Sequence, residues 1–483
     1  MSRSRYDSLK SKFGYATGDI LGGGAFSLIS LLFLDFLVNV EGINSSLAGT
    51  IVLVGKVWDA VSDPLMGVIS DRTVSRYGRR RVYILAGVLP VILTFSMLWY
   101  SFGIQTQTGK FIYYVLAYIL FSSAFTLVMV PYNALLPDMV SDYKARTGFS
   151  TIRMLVSNIA ALISVTIPGV LLGEKAVGSY LLMGLVFGLF FGLPLVVTYL
   201  TTWELPDASQ NACGSFWEML GQLKESFRNR AYRQYLGIFV CGQMATDMCT
   251  TLMAFWLADV VQKSGLLSLM TGLTMVVAVL LLPLNNHIAK TKGKQVPAII
   301  EQPFRMFGMA LAFFAGKEAG VPFLVLVCIL GGVGASVSSF VPWTLLPDLP
   351  DSDEMISGRR NAGIYAGAST FVRKFTSGFA IFLVGLALDG FGYIESTASQ
   401  TVVQPPMALL GVRILFALVP ILLSGITWLL AKQYTLTMEN HGQIRKAIQA
   451  KRETGMPIED SDVIRACEEV AGRKFNTMWV GMK

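Results

Sequence analysis

The chain has 483 residues, 53% of them hydrophobic and 14% charged, with a mean hydropathy of +0.57 and a net charge of +8. Soluble domains carry about 25% charged residues, so the composition excludes an ordinary soluble domain and points to a helical membrane protein. The five cysteines (213, 241, 249, 328 and 467) and two histidines (287 and 441) are scattered without pairing or metal spacing, and no nucleophile–base pair or phosphate loop is visible, so no enzyme and no cofactor are expected.

A membrane span needs about 20 apolar residues. In chain order the first half offers spans over 15–40, 46–69, 82–101, 111–136, 148–172 and 179–203. The second half offers 235–258, 265–288, 295–316, 320–345, 361–388 and 407–431. The first run is too long for the apolar core of a signal peptide and contains Asp19, so no cleaved leader is expected. With an even number of spans, both termini share one side. The loops on that side hold 29 of the 39 lysines and arginines, against four on the other side and six inside spans. The positive-inside rule therefore places both termini in the cytoplasm of a cell (inner or plasma) membrane. The same bias accounts for the net charge without a nucleic-acid partner.

The polar segment 204–234 divides the spans six and six, and the sequence echoes itself across the divide. Span four ends in Val130-Pro131-Tyr132-Asn133-Ala134-Leu135-Leu136-Pro137-Asp138, and span ten in Val341-Pro342-Trp343-Thr344-Leu345-Leu346-Pro347-Asp348. The predicted fold class is an all-α polytopic membrane protein with 12 transmembrane helices in two six-helix repeats, resembling the major facilitator architecture. The expected organisation is an N-terminal bundle over 1–203, a central loop over 204–234, a C-terminal bundle over 235–436 and a solvated cytoplasmic tail over 437–483. That tail reads as two helices, 440–452 and 461–474, the second capped by Ser461. Nothing demands an oligomer, so a functional monomer is expected.

Span two carries the chemistry: Lys56, Asp59 and Asp63 fall within roughly a 60° sector of one helix face. A charge at membrane depth costs about 2.5–3.5 kcal/mol, so it normally faces a partner, a cavity or an ion. Two carboxylates one turn apart suit a small cation; a structural intrahelical ion pair is the competing reading. After this span comes Gly67-x-x-x-Asp71-Arg72, followed by Arg76-Tyr77-Gly78-Arg79-Arg80-Arg81. Gly67 is expected to permit close helix packing. Asp71, Arg72, Arg79 and Arg80 are expected to form a cytoplasmic gate with Asp138 and Asp142. A weaker counterpart with three lysines, Pro283 to Lys294, lies between spans eight and nine.

The phrase Trp58-Asp59-Ala60-Val61-Ser62-Asp63-Pro64-Leu65-Met66-Gly67, followed by Asp71-Arg72-Thr73 and Arg76-Tyr77-Gly78-Arg79, resembles the glycoside–pentoside–hexuronide cation symporters, the melibiose-permease-like group of the major facilitator superfamily. The resemblance runs through all twelve spans. It implies that Asp59 and Asp63 bind the coupling ion, Na+, H+ or Li+, with Thr126 and Ser62 as neighbouring ligands and Lys56 as the charge partner when the ion leaves. Ser62 replaces an asparagine of the family. The resemblance also implies substrate binding by Asp19, Arg153 and Lys374, with Lys374 lying near both the cation and the substrate sites. Two departures stand out: Met129 occupies the slot of a sugar-binding aspartate, and Asn133 that of a stacking aromatic. Asn133 can still donate and accept hydrogen bonds, so it is retained as a substrate ligand, but the substrate is expected to differ from a galactoside and to be larger or anionic. Asp247 is expected to line the cavity, Glu301 to pair with Arg305 at i,i+4, and Trp256 and Trp343 to stack on a sugar or simply to pack.

The expected function is secondary active symport of Na+ or H+ with a sugar or glycoside by alternating access across the lipid bilayer. The alternatives are a cation-coupled lysophospholipid transporter of the same fold, and a non-transporting sensor acting through the tail.

Overall fold

The computed structural model describes residues 8–140, 143–172, 177–204, 227, 229–358, 362–395 and 402–482. The first half is built from α1 (Leu9–Ala16), α2 (Asp19–Asn39), α3 (Ser45–Arg72), α4 (Arg81–Ala86), α5 (Val88–Met97), α6 (Gln107–Met139), α7 (Tyr143–Thr166), α8 (Pro168–Leu171) and α9 (Val177–Thr201). The second contains α10 (Arg230–Phe255), α11 (Leu267–Lys292), α12 (Val296–Phe314), α13 (Val321–Leu345), α14 (Leu349–Ser357), α15 (Ala362–Gly390), α16 (Pro406–Arg413) and α17 (Val419–Lys432), and the tail forms α18 (Met438–Thr454) and α19 (Ser461–Ala471). The chain is thus an all-α polytopic protein, with a helix at each expected span.

Among the described residues, nine helical runs are long and apolar enough to cross a membrane. The other three expected spans fall short for visible reasons. α3 contains Lys56, Asp59 and Asp63; α4 and α5 are separated at Gly87; and α12 carries Glu301, Gln302 and Arg305 within 19 residues. Polar residues at such depth are costly and concentrate where a chain binds or moves something.

α3 makes its most extensive packing against α15, across the two halves. The contact is close because it is made of glycine. A Cβ on Gly378 would stand 2.6 Å from Lys56 Cβ, one on Gly49 3.0 Å from the Phe382 Cα, and one on Gly385 would collide with the Ser45 carbonyl. The far end of the seam is tied by the Ser46 amide, which donates to Asp389 at 3.0 Å. Nearby, Tyr393 donates to Asp259 at 2.7 Å and lies 3.2 Å from Asn39 Oδ1, while Thr251 donates to the Ser30 carbonyl at 3.0 Å. These links sit in the half of the molecule away from the termini. Between them and the termini lies a central cavity of about 640 Å³, lined from both halves by Phe26, Lys56, Ser157, Asp247, Arg305 and Lys374 among others.

The tail is not a solvated extension. Ile444, Ile448, Val463, Cys467, Val470 and Phe475 are buried in one cluster with Tyr235, Leu349 and Met355. Apolar residues at helical spacing need a partner surface, and here α14 and the start of α10 supply it. His441 meets Asp351 at 3.0 Å and Arg452 pairs with Glu354. Burial pushes the Cys467 thiol up to about 12. The N-cap of α19 is Asp460, which accepts from the Asp462 amide at 2.9 Å, and Ser461 is the first helical residue. The aspartate takes the role because its carboxylate is set one residue earlier, where the orphan amides point.

Candidate functional site

Two charge clusters stand out, one at the seam and one within the first half. In the first, Lys56 Nζ lies 3.8 Å from Asp59 Oδ2 and 3.3 Å over the Phe26 ring. Asp59 is fully buried, and among the described residues neither carboxylate oxygen has a partner at hydrogen-bond geometry. Asp63, one turn on, accepts from Thr126 Oγ1 at 2.8 Å and forms an ion pair with Lys374 of α15. Ser62 Oγ completes the group, 3.4 Å from Thr126 Oγ1. Acids from α3, a hydroxyl from α6 and an ammonium from α15 therefore converge, so the cluster joins both halves of the protein. Unmatched buried oxygens are expensive, and hard cations and protons are the species that carboxylate and hydroxyl oxygens hold best.

In the second cluster, Arg153 of α7 grips Asp19 of α2 with two bonds, Nε to Oδ2 at 3.0 Å and Nη2 to Oδ1 at 3.1 Å. The same Nη2 donates to Asn133 Oδ1 at 2.5 Å, and the guanidinium lies 4.9 Å from the centre of the Tyr132 ring. Tyr132 stacks on Tyr15 at 4.8 Å and donates to its carbonyl at 2.9 Å. Both Asp19 oxygens are thus engaged, though a carboxylate has about four lone-pair sites and retains capacity for hydroxyl donors. Among the described residues no hydrogen bond joins the two clusters. Lys374, expected near both the cation and the substrate sites, sits on Asp63: its position on α15 faces α3 across the glycine seam.

Towards the termini, Arg79 Nη2 and Arg80 Nε reach Asp138 Oδ2 at 2.9 and 2.8 Å. Arg72 is exposed at the last position of α3, and the side chain of Asp71, like Asp142 as a whole, lies outside the described residues. Gly67 does not serve close packing, since the nearest atom to a Cβ there is Val130 Cγ1 at 4.0 Å. Glu204 is the residue missed by sequence reasoning. Its carboxylate accepts from the backbone amides of Arg79, Arg80 and Arg81 at 2.7, 2.8 and 3.0 Å, satisfying orphan donors at the start of α4. A lone acid after span six carries no periodic signal. Its position opposite a basic loop was the available clue.

Three further expectations are settled by geometry. Asp247 lines the cavity and accepts from Gln243 at 2.9 Å. Trp256 is fully buried and stacked on Phe416 at 4.7 Å, so it packs, whereas Trp343 is 45% exposed and lines the cavity. Glu301 and Arg305 do not pair. Asn285 reaches Glu301 at 3.4 Å, while Arg305 turns to Thr246 and Ser338 at 3.1 and 3.3 Å. An i,i+4 spacing brings two side chains within reach, and here hydroxyls on α10 and α13 compete for the guanidinium.

Residues 14–438 match the family model described as MFS/sugar transport protein. The chain belongs to this family. It is 27% identical to a putative glycoside/cation symporter of Escherichia coli over 89% of this chain and 92% of that one. It is 23% identical to the sodium-dependent lysophosphatidylcholine symporter 1 of Gallus gallus over 95% and 93%. A crystal structure of the nucleoside transporter NupG superposes with a TM-score of 0.59 at 16% identity, covering 88% of this chain and 98% of that one, which shows the shared fold. The protein is a multi-span membrane transporter of the facilitator superfamily, and its symporter relatives imply cation coupling.

Proposed function

We propose that the protein is a Na+- or H+-coupled symporter of a sugar or glycoside that works by alternating access. The observation that carries this reading is the first cluster: Asp63 is bound by Lys374 from the other half, one turn from an Asp59 whose oxygens have no partner at hydrogen-bond geometry among the described residues. A monovalent cation bound to Asp59, Asp63, Thr126 and Ser62 displaces the ammonium groups of Lys56 and Lys374, so ion occupancy alters a link between the halves. Asp19, Arg153 and Asn133 then bind hydroxyls of the substrate. By linkage, cation and substrate raise each other's affinity by the same factor. In this reading residues 1–203 and 235–436 are the two rocking bundles, joined by 204–234. The termini lie in the cytoplasm of a cell membrane, and Arg79, Arg80 and Asp138 guard the cytoplasmic side, assisted by Asp71 and Arg72.

The test is uptake of labelled glycosides and uronides into proteoliposomes under separate sodium and proton gradients. Accumulation is expected under one gradient, and Asp59→Asn is expected to reduce it to the level of protein-free vesicles. Undiminished accumulation by Asp59→Asn rejects the site. The second reading, lysophospholipid cargo, is favoured by the relationship to the lysophosphatidylcholine symporter and by buried Met129 in place of a carboxylate. Uptake of lysolipid but of no sugar selects it.

A further inference from the structure

The membrane-embedded cations of the first half and the seam have acids at hand. Lys56 lies beside Asp59, Arg153 holds Asp19, and Lys374 holds Asp63. Arg305 does not follow the pattern. Its side chain is only 2% exposed, yet among the described residues no carboxylate lies within ion-pair distance, and its polar contacts are Thr246 Oγ1, Ser338 Oγ and, at 3.9 Å, Cys249 Sγ. Those groups are neutral. The Thr246 and Ser338 hydroxyls already donate to the Gly242 carbonyl at 3.0 and 2.9 Å, so they offer the guanidinium lone pairs and no charge. Arginine stays protonated in proteins, and a buried charge without a counter-charge is costly.

The position is built for this side chain. Its stem lies on Gly334 of α13, where a Cβ would stand 2.7 Å from Arg305 Cγ and closer still to its neighbours. The head reaches the central cavity, whose wall also includes Thr246, Cys249 and the exposed Arg373. A guanidinium has five N–H donors in a planar fork that matches carboxylate and phosphate geometry, and the contacts above leave some of them for a ligand. We propose that Arg305, held by Thr246 and Ser338, is an anion subsite in the second half's wall of the cavity, receiving a carboxylate or phosphate carried by the substrate. The proposal deepens the symport reading and rests on it.

Cys249 gives a direct readout, because it lies against Arg305 and lines the same cavity. The purified full-length protein is treated with N-ethylmaleimide, and modification at Cys249 is followed by peptide mass spectrometry, with Cys241 as a reference outside the cavity lining. Two matched pairs serve as protectants: methyl β-glucuronide against methyl β-glucoside, and lysophosphatidylglycerol against monoacylglycerol. In one pair the anionic member is expected to protect Cys249 at a concentration on the order of tenfold lower than its neutral partner. Arg305→Gln is expected to erase the difference and Arg305→Lys to keep part of it. Protection by the glucuronide supports both the subsite and the sugar reading. Protection by the anionic lysolipid alone supports the subsite and removes the sugar reading. Equal protection by charged and neutral members, protection by none, or a preference that survives in Arg305→Gln overturns the subsite. The wild-type comparison needs no variant, so it stands even if Arg305→Gln fails to fold.

Discussion

In the first half, the aspartate that closes the Val-Pro-aromatic phrase, Asp138, receives two arginines at 2.9 and 2.8 Å, with Glu204 binding the backbone of the same loop. In the second half its counterpart, Asp348, receives Lys294 at 2.6 Å, and that lysine is 40% exposed. The repeat has kept the acid and the basic loop but weakened the bond between them. The second half is secured differently, by the tail: α18 and α19 lie under α14, with Asp351 and Glu354 taking His441 and Arg452. Two copies of one motif can therefore diverge in strength when a later segment takes over the mechanical task. This divergence follows from physical differences: a planar guanidinium makes directed bonds in a fixed geometry, whereas an exposed ammonium is a solvated point charge.

The comparison is broken most severely by attacking the tail. Val470→Asp buries an unpaired carboxylate in the second half's cluster and is expected to cost several kcal/mol, read as loss of monodisperse protein in detergent. An unaltered melting temperature would mean that the tail is dispensable. A smaller effect separates the two aspartates. Asp138→Asn removes charge-assisted bonds from two arginines at a largely buried site and is expected to cost about 1.5–3 kcal/mol. Asp348→Asn, facing a lysine screened by water, is expected to cost about 0–1 kcal/mol. Thermal unfolding of both variants measures the gap, and equal shifts would remove the asymmetry. The smallest contrast lies between Gly78, in the loop after α3, and Gly67, inside α3. Gly78 has φ +101°, and a Cβ would come 2.9 Å from Glu204 Oε1, so Gly78→Ala is expected to cost about 1–2 kcal/mol. Gly67→Ala, with open space around it, is expected to be neutral within about 0.5 kcal/mol.

The helices were legible because twenty-residue apolar runs and lysine–arginine asymmetry are properties of the sequence itself. The Asp59–Asp63 face followed from helical spacing, and the Asp138 contact from the shared phrase. What stayed hidden depended on competition in three dimensions. Arg305 has Glu301 at the spacing of a helical pair, yet two hydroxyls from other helices hold it. Lys374 could be placed near the centre, but its choice of Asp63 over Asp19 depends on which face of α15 the glycines bring against α3. The tail carried apolar residues at helical spacing, but nothing in that spacing named the surface that would receive them.

The glycine contact between α3 and α15 has a kinetic consequence. At Gly49, Gly378 and Gly385 the two helices approach with no side chain on the glycine side. Parting the helices at these three points calls for no rotamer change on the glycine side. The activation barrier at that seam then reflects the apolar area newly exposed, together with the release of Ser46 from Asp389, of Tyr393 from the opposite half and of Lys374 from Asp63. Collective motions of this kind fall on the microsecond-to-millisecond scale.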